Sequence, residues 1–198
     1  MMNDLRYNCI KCGICCFEIE GPETKRIPLY PEEVNRLIEK AKEKNLNFNV
    51  IEDLVFPDIL NHKIIVLTYK IILSSKGHCP FYDKNEGCSI QDSKPLACST
   101  YPLALRQIDA FNFQISIDPL CKWTISNYDS LKNINSEEVK EIFKDEYPKA
   151  EKFYQKNKNL MFKIKRLEAE KKIKIIRQLS LENFNKALKE WGREEIIT

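Results

Sequence analysis

The chain has 198 residues, of which 43% are apolar and 31% are charged, a composition that suits one folded core or one core with a small appendage. Its longest apolar run, residues 64–73, is interrupted by Thr68, Tyr69 and Lys70, so the sequence predicts no membrane span. The first residues lack the apolar stretch of a secretory signal, and we therefore expect a cytoplasmic protein.

The formal net charge of +3 is unevenly distributed along the chain. Residues 1–130 hold 15 Lys and Arg against 17 Asp and Glu, whereas residues 131–198 hold 17 against 12. Because both signs are interspersed in the basic part, the pattern is typical of a solvated helix face. Nucleic acid is therefore not the expected partner.

Half of the eight cysteines stand in one octet, Cys9-Ile10-Lys11-Cys12-Gly13-Ile14-Cys15-Cys16. A C-x-x-C step lets two thiolates bind one metal through a tight turn, and Gly13 allows the positive φ that such a turn often needs. Three such thiolates and a distant fourth suit tetrahedral zinc or an iron-sulfur cluster. Adjacent side chains point in different directions, so we expect the second thiolate of the Cys15 and Cys16 pair to face another metal, the far side of a cluster or the core.

The segment after the octet predicts one helix and one strand region. Pro31 suits the first position of a helix that ends near Asn45. Residues 46–60 contain apolar side chains without a clear period, and no element is assigned to them. The β-branched residues from Lys63 to Leu73 predict a strand or a bent pair of short strands.

The remaining cysteines follow in separate predicted elements. A turn over residues 83–87 places Cys79 and Cys88 on opposite arms of a hairpin. Cys98 lies on a short helical turn over residues 95–101.

Residues 111–117 alternate between apolar and polar side chains, as a half-buried strand does, and this strand leads to Cys121. Four separate elements therefore return a thiol, which predicts that the cysteines converge on one region.

The chain beyond Cys121 is predicted to be helical. One helix begins with a capping box at residues 135–138, a longer one extends over 148–179, and Ser180 caps a last one that ends at Gly192. We expect a cysteine domain at residues 1–127 and a basic helical extension at 128–198 that packs on it. The predicted class is α+β, with short antiparallel strands and a few helices organised by metal. A protein partner of unknown identity could bind the C-terminal helices.

In a reducing compartment, eight cysteines at these spacings indicate metal or redox chemistry. Disulfides are the alternative for a hyperthermophile protein, and dithiol exchange through Cys12 and Cys15 is disfavoured because no thioredoxin-like pattern surrounds them. His78 is interpreted as a turn residue, with a ligand or base role as the alternative. The predicted metal ligands are the eight thiols: Cys9, Cys12, Cys15, Cys16, Cys79, Cys88, Cys98 and Cys121.

The two cysteine groups resemble the C-x-x-C-x-x-C-C family of zinc- or iron-chelating proteins, often labelled iron-sulfur-cluster proteins. The resemblance spans about residues 9–122 and rests on the octet, the helix opening after Leu29, and a set of later motifs. These are Cys79-Pro80-Phe81, Gly87-Cys88-Ser89-Ile90, Lys94-Pro95-Leu96-Ala97-Cys98, Tyr101-Pro102 and Cys121. The family pattern usually has Arg at the positions of Lys94 and Ser99. Flagellin lysine N-methylase carries a similar cluster, which implies a link to protein lysine methylation.

Several enzyme classes are excluded by residue counts. Five glycines form no G-x-G-x-x-G or Walker A loop, and two histidines form no two-histidine zinc hydrolase motif. The favoured hypothesis is an iron-sulfur protein with a redox, sensing or protein-modifying role. The alternative is a structural zinc module that scaffolds a protein or nucleic-acid partner surface.

Overall fold

The protein is described by a computed structural model whose contacts divide the chain into two compact units. The described residues are 5–17, 27–109 and 113–197. Of these, the first unit comprises residues 5–17, 73–109 and 113–155, and the second comprises residues 27–72 and 156–197. The predicted boundary at residue 127 was drawn from cysteine content along the sequence, and it stays a prediction.

The described residues form helices and short strands, which confirms the predicted α+β class. The helices are α1 (Pro31–Glu43), α2 (Leu96–Thr100), α3 (Lys122–Ser126), α4 (Tyr128–Leu131), α5 (Ser136–Ile142), α6 (Tyr147–Ala169) and α7 (Leu181–Glu190). The strands are β1 (Pro28–Leu29), β2 (Val50–Asp58), β3 (Lys63–Ile71), β4 (Tyr82–Asp83), β5 (Gly87–Cys88), β6 (Leu103–Gln107), β7 (Phe113–Ile117) and β8 (Gly192–Glu195). Within the described part of the chain, no helix is both long and apolar enough to cross a bilayer.

The first unit consists of two small antiparallel hairpins and an aromatic core. Strand β4 pairs with β5, and β6 pairs with β7. The core centres on three rings: Tyr7 lies 5.1 Å from both Trp123 and Phe143, measured between ring centroids. The backbone N–H of Tyr7 also donates to the carbonyl of Ile142 at 2.8 Å. These contacts hold the segment that enters the cysteine octet against helices α3 and α5.

The second unit is built around strand β3. It pairs antiparallel with β1 and β2 and parallel with β8. Residues 64–67 are all buried, although successive side chains of a strand point to opposite faces. Helices α1 and α7 both contact β3, which is why this strand is a continuous apolar run.

Most predictions of helices, strands and turns are confirmed. The elements that the sequence did not predict depend on contacts between residues far apart in the chain. Helix α1, the β4–β5 hairpin, α2 and the Asn135 capping box form as expected. The strand predicted over residues 111–117 forms as β7, in which Ile115 and Ile117 are half-buried as expected but Phe113 is exposed. Its predicted start at Phe111 lies outside the described residues. Strands β1, β2, β6 and β8 and the short helices α3 and α4 were not predicted.

Helix α6 does not continue to Leu179 as predicted but ends at Ala169. Lys171 adopts a left-handed φ of 55°, and the N–H of Lys172 returns to the carbonyl of Leu167 at 3.0 Å. This backbone reversal ends the helix although the apolar stripe continues. Gly192, expected to end the last helix, instead opens strand β8.

Asp58 anchors the turn between β2 and β3 in the second unit. Its side chain is 1% exposed, and Oδ1 accepts hydrogen bonds from the N–H groups of Leu60 at 3.0 Å and Lys174 at 2.9 Å. Oδ2 accepts from Nδ2 of Asn61 at 2.5 Å. One carboxylate therefore satisfies donors from the turn and from the segment that follows α6.

Replacing Asp58 by Ala should lower the free energy of unfolding by about 3 kcal/mol, because it leaves buried donors without an acceptor. Asp58→Asn keeps one carbonyl oxygen for the two N–H groups but sets an NH₂ group against that of Asn61, so a smaller loss, about 1–2 kcal/mol, is expected. Urea denaturation followed by circular dichroism measures the free energy of unfolding of both variants. Equal and negligible losses would show that Asp58 does not anchor the turn.

Gly87 marks the place where the β4–β5 hairpin meets the cysteine octet. Its φ is +77°, and a Cβ built there would lie 2.6 Å from Cβ and 2.8 Å from the carbonyl oxygen of Lys11. Gly77 has a similar φ of +70°, but a Cβ there would meet nothing within 4 Å. The two glycines thus share backbone strain and differ in close packing.

Gly77→Ala should cost about 1–2 kcal/mol, the penalty of a left-handed backbone. Gly87→Ala should cost about 3 kcal/mol because the octet backbone must also move. Melting temperatures of the two variants separate these contributions. If both variants have the same melting temperature, close packing of the hairpin on the octet does not contribute to stability.

Candidate metal centre

The octet folds as a tight loop that turns its cysteines toward one side. Gly13 has a φ of +78° and precedes a 3₁₀ turn at Ile14–Cys16, in which the N–H of Cys16 donates to the carbonyl of Gly13 at 2.6 Å. A Cβ at Gly13 would collide with the ring of Tyr82. Glycine is therefore required here by both backbone conformation and space.

The hairpin that carries Cys79 and Cys88 docks directly on this loop. The N–H of Cys79 donates to the carbonyl of Cys16 at 2.7 Å, and Phe17 and His78 form an antiparallel bridge. The hydrogen bond from Cys79 to Cys16 joins residues 63 positions apart in sequence. It places the second cysteine group beside the vicinal pair.

The last two cysteines lie in or directly before a short helix. Cys98 lies in α2, and Cys121 is the residue that precedes α3. Cys121 is 3% exposed, and its N–H donates to the carbonyl of Asp118 at 3.2 Å in the turn after β7. The other seven cysteines are partly exposed, and none of the eight is in a disulfide.

The structure brings the predicted ligands into one region. A cavity of about 20 Å³ is lined by six of them: Cys9, Cys12, Cys15, Cys16, Cys88 and Cys121. A neighbouring cavity of about 80 Å³ is lined by Cys9, Cys15 and Cys98. Cys79 interacts electrostatically with Cys15, Cys16, Cys88 and Cys98.

Cys15 is the thiol that the others share. Its Sγ lies 3.8 Å from that of Cys16. It also interacts electrostatically with three thiols that are far away in sequence, those of Cys79, Cys88 and Cys98. It lines both cavities. As the side chains stand, no group of three or more Cys, His, Asp or Glu among the described residues forms a ready-made site for a metal ion.

Burial favours the neutral form of three of the thiols. Burial raises the pKa of Cys79 to about 11 and raises the pKa of Cys88 and of Cys98. The pKa of Cys16 is raised first by its hydrogen bond with Cys15 and then by burial. The ammonium group of Lys94 opposes the rise in pKa at Cys88 and Cys98.

The raised pKa values of these thiols indicate that the site would bind a cation. Several thiolates held close together repel one another, and a bound cation offsets that repulsion and deprotonates its thiol ligands. Sulfur donors suit zinc and iron-sulfur clusters. The donor set therefore fits either group.

Two tyrosines lie against the sulfur atoms and were not predicted as site residues. Burial raises the pKa of Tyr7, and the thiols of Cys9 and Cys121 raise it further, with a hydrogen bond to Cys9. Burial likewise raises the pKa of Tyr101, with contributions from Asp118 and Cys121. The Tyr101-Pro102 motif was a sequence signal for the second tyrosine, whereas only tertiary packing identifies Tyr7.

His78 stands at the edge of the site, between aromatic rings. Its ring centroid lies 5.8 Å from that of Phe17 and 5.7 Å from that of Tyr82. Nδ1 lies 3.1 Å from the carbonyl oxygen of Cys79, and since a carbonyl only accepts, Nδ1 is the donor. This arrangement suits the turn residue that the sequence predicts.

Residues 8–122 match the family model CxxCxxCC, described as "Putative zinc- or iron-chelating domain". No curated protein and no solved structure matches the chain significantly. The matched region includes all eight cysteines and covers more than half of the chain. The chain therefore belongs to the C-x-x-C-x-x-C-C family of zinc- or iron-chelating domains.

Proposed function

We propose that this protein binds an iron-sulfur cluster through its converging cysteines and uses it for a redox, sensing or protein-modifying reaction. The observation that carries the proposal is that five separate segments bring their thiols to one region: seven of the eight line two neighbouring cavities, and Cys79 interacts electrostatically with four of them. One zinc ion and one iron-sulfur cluster each take four thiolates, so the number of thiols fits two groups of either kind. The C-x-x-C-x-x-C run of the octet resembles ferredoxin-type ligation in its spacing, and this favours a cluster. The resemblance to the cluster region of flagellin lysine N-methylase supports the protein-modifying variant.

The surroundings of the thiols also support a cluster. Reduction potentials of iron-sulfur clusters depend on hydrogen bonds to sulfur, on net charge and on exposure to solvent. Tyr7 offers a hydroxyl group to Cys9, and Lys94 supplies a positive charge near Cys88 and Cys98. When bound, the cluster would supply one-electron chemistry, while these residues would set its charge environment.

The alternative is a structural zinc module that supports a partner surface. Structural zinc sites have closed all-protein ligand shells, and the smaller cavity of about 20 Å³ suits a closed shell. The predicted partner surface on the C-terminal helices stays a prediction. Phe162 and Leu181 on α6 and α7 are 54% and 74% exposed, which would suit a protein partner.

Anaerobic purification followed by iron, zinc and acid-labile sulfide analysis distinguishes the two groups. We expect a brown protein with matching iron and sulfide. A colourless protein with stoichiometric zinc and no sulfide would refute the cluster and support the zinc module. Removing the metal with a chelator should lower the melting temperature, because metal binding and folding are coupled.

The vicinal pair should respond unequally to substitution. Cys15→Ser should reduce bound metal to half or less, because Cys15 lines both cavities and interacts electrostatically with Cys79, Cys88 and Cys98. Cys16→Ser should retain most of the metal. Ser89→Ala is the control, since the Ser89 hydroxyl is buried next to Cys88 without a hydrogen-bond partner among the described residues. Metal analysis of the three variants tests this prediction. Equal losses of metal in Cys15→Ser and Cys16→Ser would contradict a central role for Cys15.

A further inference from the structure

A cavity of about 270 Å³ lies within the second unit, and no cysteine lines it. Its inner part is formed by Leu67, Thr68 and Leu160, which are 0%, 3% and 3% exposed. Leu54 and Met161 stand at its rim, since they are 42% and 39% exposed. An engineered apolar cavity of about 150 Å³ holds benzene, so this one has room for a ligand of roughly ten non-hydrogen atoms.

Two irregularities in the pairing of β2 with β3 shape this cavity. The register of the two strands skips Asp53 in β2 and Leu67 in β3, on either side of the pair formed by Leu54 and Thr68. Consecutive side chains of a regular strand point to opposite faces, whereas a bulge re-aims one of them. The neighbours Leu67 and Thr68 therefore line the same cavity, as Asp53 and Leu54 do. Bulges of this kind are over-represented next to functional sites.

Two hydrogen-bond donors in the lining have no acceptor within the described part of the chain. Oγ1 of Thr68 accepts from the N–H of Leu54 at 3.2 Å, so the hydrogen of its own hydroxyl group remains to be donated. Oδ1 of Asn157 accepts from the Tyr30 hydroxyl at 2.8 Å, so its NH₂ group is the remaining donor. Because both side-chain oxygens already accept, a ligand in the cavity has to supply an acceptor.

The charges of the lining favour an uncharged ligand. Among the described residues that line the cavity there is no Lys, Arg or His, and Asp53 is the single charged group. Its carboxylate repels an anion, and it already has an interaction within the protein, so it does not require a cation. A ligand hydroxyl would bring a hydrogen that needs a further acceptor, whereas a carbonyl oxygen has two lone pairs and no hydrogen.

We propose that this cavity binds a small uncharged ligand with an apolar body and one carbonyl group, of the size of acetophenone. The apolar body packs on Leu67, Leu160 and Met161, and the carbonyl oxygen accepts from Thr68 and Asn157. An aromatic body suits the thioether of Met161, since sulfur contacts aromatic rings favourably. The described lining belongs entirely to the second unit, so the site is independent of the proposed function of the cysteines.

The test is an amide NMR titration of the isotope-labelled full chain with acetophenone and with α-methylstyrene. The second compound has the same shape but carries a CH₂ group in place of the carbonyl oxygen. We expect saturable binding of acetophenone with a dissociation constant of roughly 1 mM or below. The amide signals that move should be those of residues 53–54, 67–68 and 157–161.

Thr68→Val removes one donor and keeps the shape of the side chain. It should weaken acetophenone binding about 3- to 10-fold, the effect of one hydrogen bond, and should not weaken binding of α-methylstyrene. Thr68→Ser keeps the hydroxyl group and should retain most of the acetophenone affinity. Thr124→Val is the control, because Thr124 is also a buried threonine but belongs to the first unit; it should change neither affinity.

Asn157→Asp removes the second donor while an oxygen remains for the Tyr30 hydroxyl. It should weaken acetophenone binding about tenfold, because a carboxylate oxygen then faces the carbonyl. Asn159→Asp makes the same change at an exposed position of α6 that does not line the cavity, and it should have no effect.

Met161→Trp tests the location without removing a hydrogen bond. The larger side chain at the rim should block the cavity and reduce binding of both compounds at least tenfold. Phe162→Trp is the control, since Phe162 is 54% exposed and does not line the cavity. Melting temperatures of all variants verify that the fold is retained.

The proposal is overturned if acetophenone does not saturate, or if the amide signals that move lie outside the cavity. Binding of α-methylstyrene alone, or an equal loss of both compounds in Thr68→Val, would overturn the role of the carbonyl group. Equal effects of Met161→Trp and Phe162→Trp would refute the location. None of these results bears on iron, zinc or sulfide content, so the proposed function is tested separately.

Discussion

The first unit depends on one electrostatic constraint, which is the close packing of thiols in a partly buried region. Ionised sulfur atoms at short range repel one another, and burial adds a desolvation penalty, so the thiols stay neutral unless a cation compensates them. Burial is the larger cause of the raised pKa values of Cys79, Cys88 and Cys98, and the neighbouring thiols raise them further. Membership in a zinc- or iron-chelating family and the donor chemistry thus agree, since a metal is the group that makes such a concentration of sulfur favourable.

Backbone geometry brings the thiols close enough for this constraint to act. Left-handed conformations at Gly13 and Gly87 let the octet and the β4–β5 hairpin approach each other to backbone contact. The hydrogen bond from Cys79 to the carbonyl of Cys16 then joins the two cysteine groups. The aromatic core around Tyr7 supports the same loop from the other side, so metal binding and the packing of the first unit are physically coupled.

The second unit is stabilised by different interactions. Its central strand β3 is apolar throughout residues 64–67 and is contacted by helices α1 and α7. Asp58 ties the β2–β3 turn to the segment after α6 through three hydrogen bonds. Hydrophobic burial and a satisfied carboxylate are sufficient to explain its order without a metal.

The sequence by itself determined the features that depend on residues a few positions apart in the chain. The spacing of the octet predicted metal-binding thiols, Pro31 and the Asn135 capping box marked helix starts, and the turn at residues 83–87 set the hairpin. Tertiary structure alone decided which thiols line the same cavities, with Cys9 and Cys15 in both, and placed Tyr7, Gln91 and Glu146 beside them. It also decided the strands β2 and β8 and the end of α6. Capping, proline and turn preferences act over a few residues, whereas pairing and burial depend on partners far along the chain, and no local pattern encodes them.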